Sequence, residues 1–133
     1  MKAYDMTVAD LMSTALLTIK ATESLTEAHS EMELGLIHHL PVVDDRGKLV
    51  GVLSDRDLRA ASKRHHNVAD LMTRDVITIR PEAPAYEAAQ LMLDHRIGSV
   101  PVVDGHGALV GVVTQTDYLD LARRALLGIH LER

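Results

Sequence analysis

The sequence predicts a mixed α/β fold made of two packed copies of one β-α-β-β-α unit, and two observations predict it. VADLM at 8–12 recurs at 68–72, PVVD at 41–44 recurs at 101–104, and GKLVGVLSDRD at 47–57 is matched by GALVGVVTQTD at 107–117, always 60 positions later. A gap-free alignment of 8–57 on 68–117 gives 21 identities, where chance gives about three. Within each copy, apolar residues change between helical and strand spacing. The chain is therefore a tandem duplication.

The helices of each copy follow from caps and apolar spacing. Thr7 and Asn67 each precede a carboxylate by three positions, the pattern of a helix start. Longer helices are predicted where apolar residues recur at helical spacing, over Ser24–Leu34 and Pro84–His95. The last helix of each copy is predicted over Asp55–Lys63 and Gln115–Leu127.

The strands of each copy are short runs of β-branched and aliphatic residues. Leu16–Ile19 and Val76–Ile79 are predicted as first strands. Asp- and Gly-rich turns then indicate a hairpin in each copy, formed by Leu40–Val43 with Lys48–Leu53 and by Val100–Val103 with Ala108–Val113.

The two copies occupy residues 7–64 and 67–127, and the short polar stretch Ala61–Asn67 joins them. A unit of this size is near the lower limit for an independent core, so we expect the copies to pack as one pseudo-twofold body. Since 47% of the residues are hydrophobic and Phe and Trp are absent, that core must be aliphatic.

Several classes of active site are excluded or disfavoured. Without Cys there is no thiolate nucleophile, disulfide or Cys-based zinc site. Neither a P-loop nor a dinucleotide-binding glycine motif is present, and the eight His do not fall at a metal-binding spacing. We therefore expect no catalytic residues, no metal, no required cofactor and no enzyme activity.

Charge and hydropathy limit partners and location. The net charge of −5 disfavours nucleic acid and anionic membrane surfaces as partners. The N-terminal residues lack the pattern of a signal peptide, and no apolar run is long enough to cross a membrane. These features predict a cytoplasmic protein.

The repeated segments resemble one known family. PVVD, a turn, and a strand ending in Gly-Val-Leu-Ser-Asp-Arg-Asp are similar to the cystathionine-β-synthase (CBS) domain, as are Thr18-Ile19 and Glu27-Ala28. Two copies in tandem resemble a CBS pair, or Bateman module, over about residues 7–125. The resemblance implies a stand-alone regulatory module that binds adenosine-containing ligands in one or both clefts between the repeats and pairs into a homodimer.

Ser54-x-x-Asp57 and Thr114-x-x-Asp117 are the sharpest binding motifs. A carboxylate can accept hydrogen bonds from both ribose hydroxyls, and a hydroxyl beside a helix start can face phosphate. The same pattern is a capping box that ties down the helix start. The resemblance favours ligand binding, and both roles can coexist.

The resemblance extends each site to flanking segments. His38 and His39 can donate to phosphate; the alternatives are a solvated or dimer-facing pair, or adventitious metal binding. Lys20 and Arg80 are either ligand contacts or solvated cations. The predicted first site comprises Lys20, Ala21, Thr22, Ile37, His38, His39, Leu40, Pro41, Ser54, Arg56 and Asp57. The predicted second site comprises Arg80, Pro81, Glu82, Ile97, Gly98, Ser99, Val100, Pro101, Thr114, Thr116 and Asp117.

The two sites differ in charge. The first has Arg56 and two His and suits a charged nucleotide, whereas the second is more neutral and suits a nucleoside-like ligand or none. We expect a module that senses AMP, ADP or ATP, with S-adenosylmethionine and NAD ranked after them, and signals to an unknown regulated protein. The alternative is a constitutive dimerisation or scaffolding module without a physiological ligand.

Overall fold

The computed structural model describes residues 2–128. After a 3₁₀ turn over Ala3–Asp5, the first repeat contains α1 (Val8–Leu11), β1 (Ile19–Lys20), α2 (Leu25–Gly35), β2 (His39–Val43), β3 (Leu49–Ser54) and α3 (Asp55–Arg59). The second contains α4 (Val68–Leu71), α5 (Ala85–His95), β4 (Ser99–Val103), β5 (Leu109–Thr114) and α6 (Gln115–Leu126). The fold class is the mixed α/β that the sequence predicts, but in the second repeat only Ile79 of the predicted strand Val76–Ile79 pairs, through a single bridge.

The described residues divide into two compact units that do not coincide with the two repeats. The first unit comprises residues 17–76 and 107–109, and the second comprises 2–16, 77–106 and 110–128. Each unit thus contains the VADLM helix of the other repeat.

In the first unit, β1 is parallel to β2 and β2 is antiparallel to β3. Helix α2 places Ala28 and Met32 against this sheet, and Val68 of α4 and Met72, the residue after α4, join the same core. The remaining buried members are Ile19, Leu40, Val42 and Leu53. All eight are aliphatic, as the composition predicts.

In the second unit, β4 pairs with β5, and Ile79 forms a single parallel bridge to Val102. The core consists of Val8, Ile79, Ala88, Met92, Val100, Val102 and Val113. Val8 comes from α1 and is completely buried here. A smaller cluster joins Met6 and Ala85, with Tyr118 and Leu121 packed against it.

The predicted first strands are cut short, because a proline interrupts each ladder: β1 covers Ile19–Lys20 instead of Leu16–Ile19, and Val76–Ile79 is reduced to one bridge at Ile79. The Ile79 N–H donates to the Pro101 carbonyl and the Ile79 carbonyl accepts from Val103. Two residues earlier, the Ile77 carbonyl would need the N–H of Pro101, which proline lacks. Pro41 stands at the matching place beside β1.

Helix α3 is also shorter than the predicted Asp55–Lys63, whereas α6 runs nearly its predicted length. The two helices share their capping start and differ in the residues after it. Residues 61–64 are exposed, so they offer no apolar face to bury. In α6, Tyr118 and Leu121 pack against the Met6 cluster and extend the helix.

Candidate functional site

Ser54 and Asp57 form a capping box at the start of α3. The Asp57 N–H donates to Ser54 Oγ at 3.0 Å, and the Ser54 N–H donates to Asp57 Oδ2 at 2.8 Å. The Asp57 Oδ1 atom makes no hydrogen bond within residues 2–128. The capping alternative is therefore correct, and it leaves one carboxylate oxygen for a further donor.

Thr114 and Asp117 repeat this arrangement at the start of α6. The Thr114 N–H donates to Asp117 Oδ2 at 2.7 Å, and the Asp117 N–H is 3.4 Å from Thr114 Oγ1. The Thr114 hydroxyl also donates to Asp117 Oδ2 at 3.2 Å. Because the Thr114 hydroxyl already donates its hydrogen to Asp117, it is less available to donate to a phosphate than a hydroxyl that contacts only water.

His38 lies just before β2 and is held at two points by Asp55, the first residue of α3. The Asp55 N–H donates to the His38 carbonyl at 2.8 Å. The His38 Nδ1 atom lies 2.9 Å from Asp55 Oδ2. The hydrogen bond from His38, with the charge of Arg59, lowers the pKa of Asp55 below its ordinary value. His39 is exposed and stands opposite Ser54 in the ladder.

The predicted first site is divided between two cavities. Ile37 and His38 line a cavity of about 590 Å³ between α2 and α3, together with His29, Met32, Glu33, Leu36, Asp55, Leu58 and Arg59. Lys20, Ala21 and Thr22 line a separate cavity of about 280 Å³, with Val43, Asp44, Asp45, Val50, Met72 and Arg74. Ser54, Arg56 and Asp57 line neither of these two cavities.

Leu40 and Pro41 of the first site, like Val100 and Pro101 of the second, are buried. Leu40 and Val100 belong to the cores of their units. Their side chains are therefore packed inside the fold and are not exposed to a ligand.

The predicted cations at the ends of the first strands are already paired. Lys20 Nζ lies 2.5 Å from Asp45 Oδ1, and this contact raises the pKa of Lys20. Arg80 Nη2 lies 2.9 Å from Glu82 Oε1. A ligand phosphate would have to compete with these carboxylates, whereas Arg56 is exposed and has no such partner in the described part of the chain.

The predicted second site is also spread out. Arg80 lines a cavity of about 480 Å³ with Thr78, Ile79, Ala83, Tyr86, Glu87, Gln90 and Leu91. The Pro81 carbonyl accepts from Ala9, and the Gly98 carbonyl accepts from the N–H of Gln115 at 3.0 Å. Ile97 packs on the core, Ser99 begins β4, and Thr116 is exposed.

Asp55 and Arg59 are functional candidates that sequence reasoning missed. The alignment of the two repeats could have indicated them, because Asp55 aligns with Gln115 and Arg59 with Leu119. Both charges are therefore specific to the first repeat. Their proximity to His38 depends on the approach of α3 to the start of β2, which no local pattern reveals.

Residues 2–128 contain neither a metal-binding cluster nor a membrane-spanning helix. No group of three or more His, Asp or Glu there is arranged to hold a metal ion. No helix in that range is long and apolar enough to cross a membrane.

Known proteins resemble the chain over most of its length. A CBS domain-containing protein of Dictyostelium discoideum is 38% identical over 134 residues, covering 90% of this chain and 92% of the relative. Inosine-5′-monophosphate dehydrogenase of Methanocaldococcus jannaschii is 34% identical and matches 89% of this chain, which spans only 23% of that enzyme.

Three solved structures show the same fold with bound ligands. A CBS domain pair in complex with 5′-methylthioadenosine and S-adenosyl-L-methionine is 34% identical, with a TM-score of 0.82 over 90% of this chain and 98% of the other. An AMP complex of CBSX2, a CBS-pair protein of Arabidopsis thaliana, is 32% identical, with a TM-score of 0.85 over the same shares. The cytosolic domain of the Mg²⁺ channel MgtE, in complex with ATP, is 35% identical, with a TM-score of 0.76 over 84% of this chain and 46% of the other.

The family model described as the CBS domain matches residues 8–64 and 68–124. The duplicated sequence, the α/β fold of each unit and the similarity to solved CBS pairs all lead to the same family. The chain belongs to the CBS domain family and carries a pair of CBS domains.

Proposed function

We propose that the chain is a regulatory module that binds an adenine nucleotide of the AMP, ADP or ATP class and changes its interaction with a regulated protein. The observation that carries this proposal is the likeness to CBS pairs whose structures contain AMP, ATP, or 5′-methylthioadenosine with S-adenosyl-L-methionine. These neighbours share an adenosine group, so we expect the same group to be recognised here.

The helix starts of α3 and α6 support the proposal chemically. Asp57 and Asp117 each cap a helix through Oδ2. Their Oδ1 atoms can accept from ribose hydroxyls, and a hydrogen bond to a charged acceptor is the strong kind. The caps hold both carboxylates in place before ligand arrives, which lowers the entropy cost of binding.

Phosphate binding is expected mainly at the first repeat. Arg56 and His39 are exposed beside Ser54, and His38 lies at the same junction. The second repeat has Thr116, Ser99 and Gly98 at the aligned positions. The first site should therefore prefer a nucleotide, and the second a ligand with less charge.

Signalling would follow from differential binding. A ligand that binds one conformation more tightly shifts the population toward it. The regulated protein is a partner of unknown identity.

Isothermal titration calorimetry and thermal unfolding with AMP, ADP, ATP, S-adenosylmethionine, NAD and adenosine test the function. A ligand at 100 times its Kd stabilises the fold by about 2.7 kcal/mol, which raises Tm by several degrees. Asp57→Ala and Asp117→Ala should each weaken binding at one site by about tenfold or more, because a hydrogen-bonded charge is lost.

Asp70→Ala is the matched control. Asp70 accepts from the N–H of Asn67 at 3.1 Å in the capping box of α4, so its loss removes the same kind of cap outside the predicted sites. It should lower stability by about 1 kcal/mol and leave nucleotide affinity unchanged. If no nucleotide binds at millimolar concentration, the proposal fails.

Association with a second copy is a second candidate, favoured by the exposed face of α6. Leu119 and Leu126 lie seven residues apart on one side of this helix and are 73% and 87% exposed. If they mediate self-association, Leu119→Lys with Leu126→Lys should give a monomer in light scattering while nucleotide binding persists. A wild-type monomer at high concentration would eliminate this candidate.

A further inference from the structure

The cavity between α2 and α3 is lined by ionisable residues whose aligned positions in the second repeat are not ionisable. Its ionisable lining residues are His29, Glu33, His38, Asp55 and Arg59. The aligned residues of the second repeat are Ala89, Leu93, Gly98, Gln115 and Leu119. Met32 and Ile37 of the apolar floor are matched by Met92 and Ile97. These two apolar residues are therefore the same in both repeats, whereas the five ionisable residues around them occur only in the first repeat.

Asp55 is the centre of this charged set. Its backbone N–H and its carboxylate both bind His38, at 2.8 Å and 2.9 Å. In the second repeat, only the backbone hydrogen bond is present: the N–H of Gln115 donates to the Gly98 carbonyl. The side-chain contact is therefore an addition of the first repeat and is not needed to form the junction.

We propose that Asp55 is a positioning residue that holds the His38 imidazole in the cavity between α2 and α3 and thereby weakens phosphate binding at the first site. This inference rests on the nucleotide-binding function proposed above. While Nδ1 of His38 is bonded to Asp55, the imidazole is restrained and is less available to a phosphate. A phosphate and Asp55 compete for the same histidine.

The other groups at the cavity do not take over this role. Arg59 lies 3.9 Å from Asp55 Oδ2, beyond hydrogen-bond distance. His29 is paired with Glu33 at 2.9 Å along α2. Since the His38 side chain is 77% exposed, its ring has room to leave Asp55 when a phosphate offers a better contact.

The test replaces Asp55 with the residue that the second repeat already accepts at this position. Asp55→Gln should raise the affinity for AMP about twofold to fivefold, the range that exposed charge pairs span. Adenosine, which lacks the phosphate, should bind with unchanged affinity. The imidazole ¹⁵N resonances of His38 should shift in the ligand-free variant, because the partner of Nδ1 is lost.

Two further variants separate positioning from charge. Glu33→Gln removes one negative charge from the same cavity without touching His38, and should alter neither AMP affinity nor the His38 resonances. In a His38→Gln background, Asp55→Gln should no longer raise AMP affinity. If the full increase persists there, Asp55 acts through its own charge and the proposal is wrong.

The results also separate this proposal from the function on which it rests. If AMP binds and Asp55→Gln changes nothing, the positioning role fails while nucleotide binding stands. If no nucleotide binds the wild type, both fail, whatever the resonances show.

Discussion

At the scale of single residues, Asp57 and Asp117 illustrate how one side chain serves both fold and site. One oxygen of each carboxylate closes a capping box. The other makes no hydrogen bond within residues 2–128. The motif in the sequence is the same for a cap, a ligand site or both. Only the position of the donors reveals which oxygen is engaged.

Gly51 gives a prediction at this scale. A Cβ atom at this position would lie 2.8 Å from Met72 Sδ and 2.8 Å from the Thr73 carbonyl oxygen. Thr73 is fixed in place because its backbone N–H and carbonyl both form hydrogen bonds with the backbone of Val52. We expect Gly51→Ala to destabilise the fold by about 1–3 kcal/mol, because backbone cannot move aside cheaply. Urea unfolding measures this.

Gly98→Ala is the control for that substitution. The nearest atom to its added Cβ is Gln115 Oε1 at 3.5 Å, an ordinary contact. The control should be neutral or slightly stabilising, since alanine restricts the unfolded chain. Equal losses in the two variants would contradict the steric explanation.

Tyr118 gives a pH-dependent prediction. Its hydroxyl donates to the Ala85 carbonyl at 2.6 Å, and burial, then the charge of Asp117, raises its pKa to about 12 from 10.0. Because the folded state disfavours the tyrosinate, this contribution to stability is complete below pH 10 and is lost as the pH rises toward 12.

Tyr118→Phe separates this effect from general alkaline unfolding. The variant should lose about 1 kcal/mol at neutral pH, the value of one hydrogen bond. Its stability should then fall less steeply than that of the wild type over the same alkaline range, in urea unfolding at several pH values. A parallel decline of both proteins would exclude Tyr118 as the cause.

At the scale of elements, α2 and α5 end in the same unusual way. Leu36 and Arg96 follow these helices with φ of 52° and 54°, the left-handed conformation that glycine adopts most readily. The sequence predicts both helix ends to within one residue, but it does not indicate that a leucine and an arginine adopt this conformation.

Arg96→Gly tests the strain at that helix end. Arg96 is exposed, so its replacement removes little packing. We expect thermal unfolding to show a gain of up to about 1 kcal/mol, because glycine relieves the left-handed strain. His95→Gly, one residue earlier at the last position of α5, should instead lose up to about 1 kcal/mol. A loss in both variants would contradict this account.

Helices α3 and α6 show why the length of a helix could not be predicted from the sequence alone. Both start with the same capping box, and the sequence predicts long helices for both. The caps fix the starts locally, and both starts are confirmed. The length depends on a distant partner, which Met6 and Ala85 provide for α6 and which residues 61–64 lack.

At the scale of the whole molecule, the main finding is that the VADLM helices are exchanged. Val8 is completely buried among second-repeat residues of the second unit. Val68 is completely buried among first-repeat residues of the first unit. The aligned sequence is identical, and nothing in it states which core each copy joins.

Hydrogen exchange tests this exchange of helices. Val8→Ala should cost about 2 kcal/mol by leaving a cavity, and should speed local exchange in the second unit, at β4 and β5. Val68→Ala should instead speed exchange at β2 and β3. If Val8→Ala chiefly opens the first unit, the assignment of α1 is wrong.

The sequence by itself determined the duplication, the aliphatic core, the helix starts and the family. These depend on local caps, apolar spacing and repeated residues, which one chain carries in full. Tertiary structure decided which core each VADLM helix joins, where β1 begins and α3 ends, and that Asp55 holds His38. Each of these depends on a contact between residues far apart in the chain, whose free energy appears only when the fold brings the partners together.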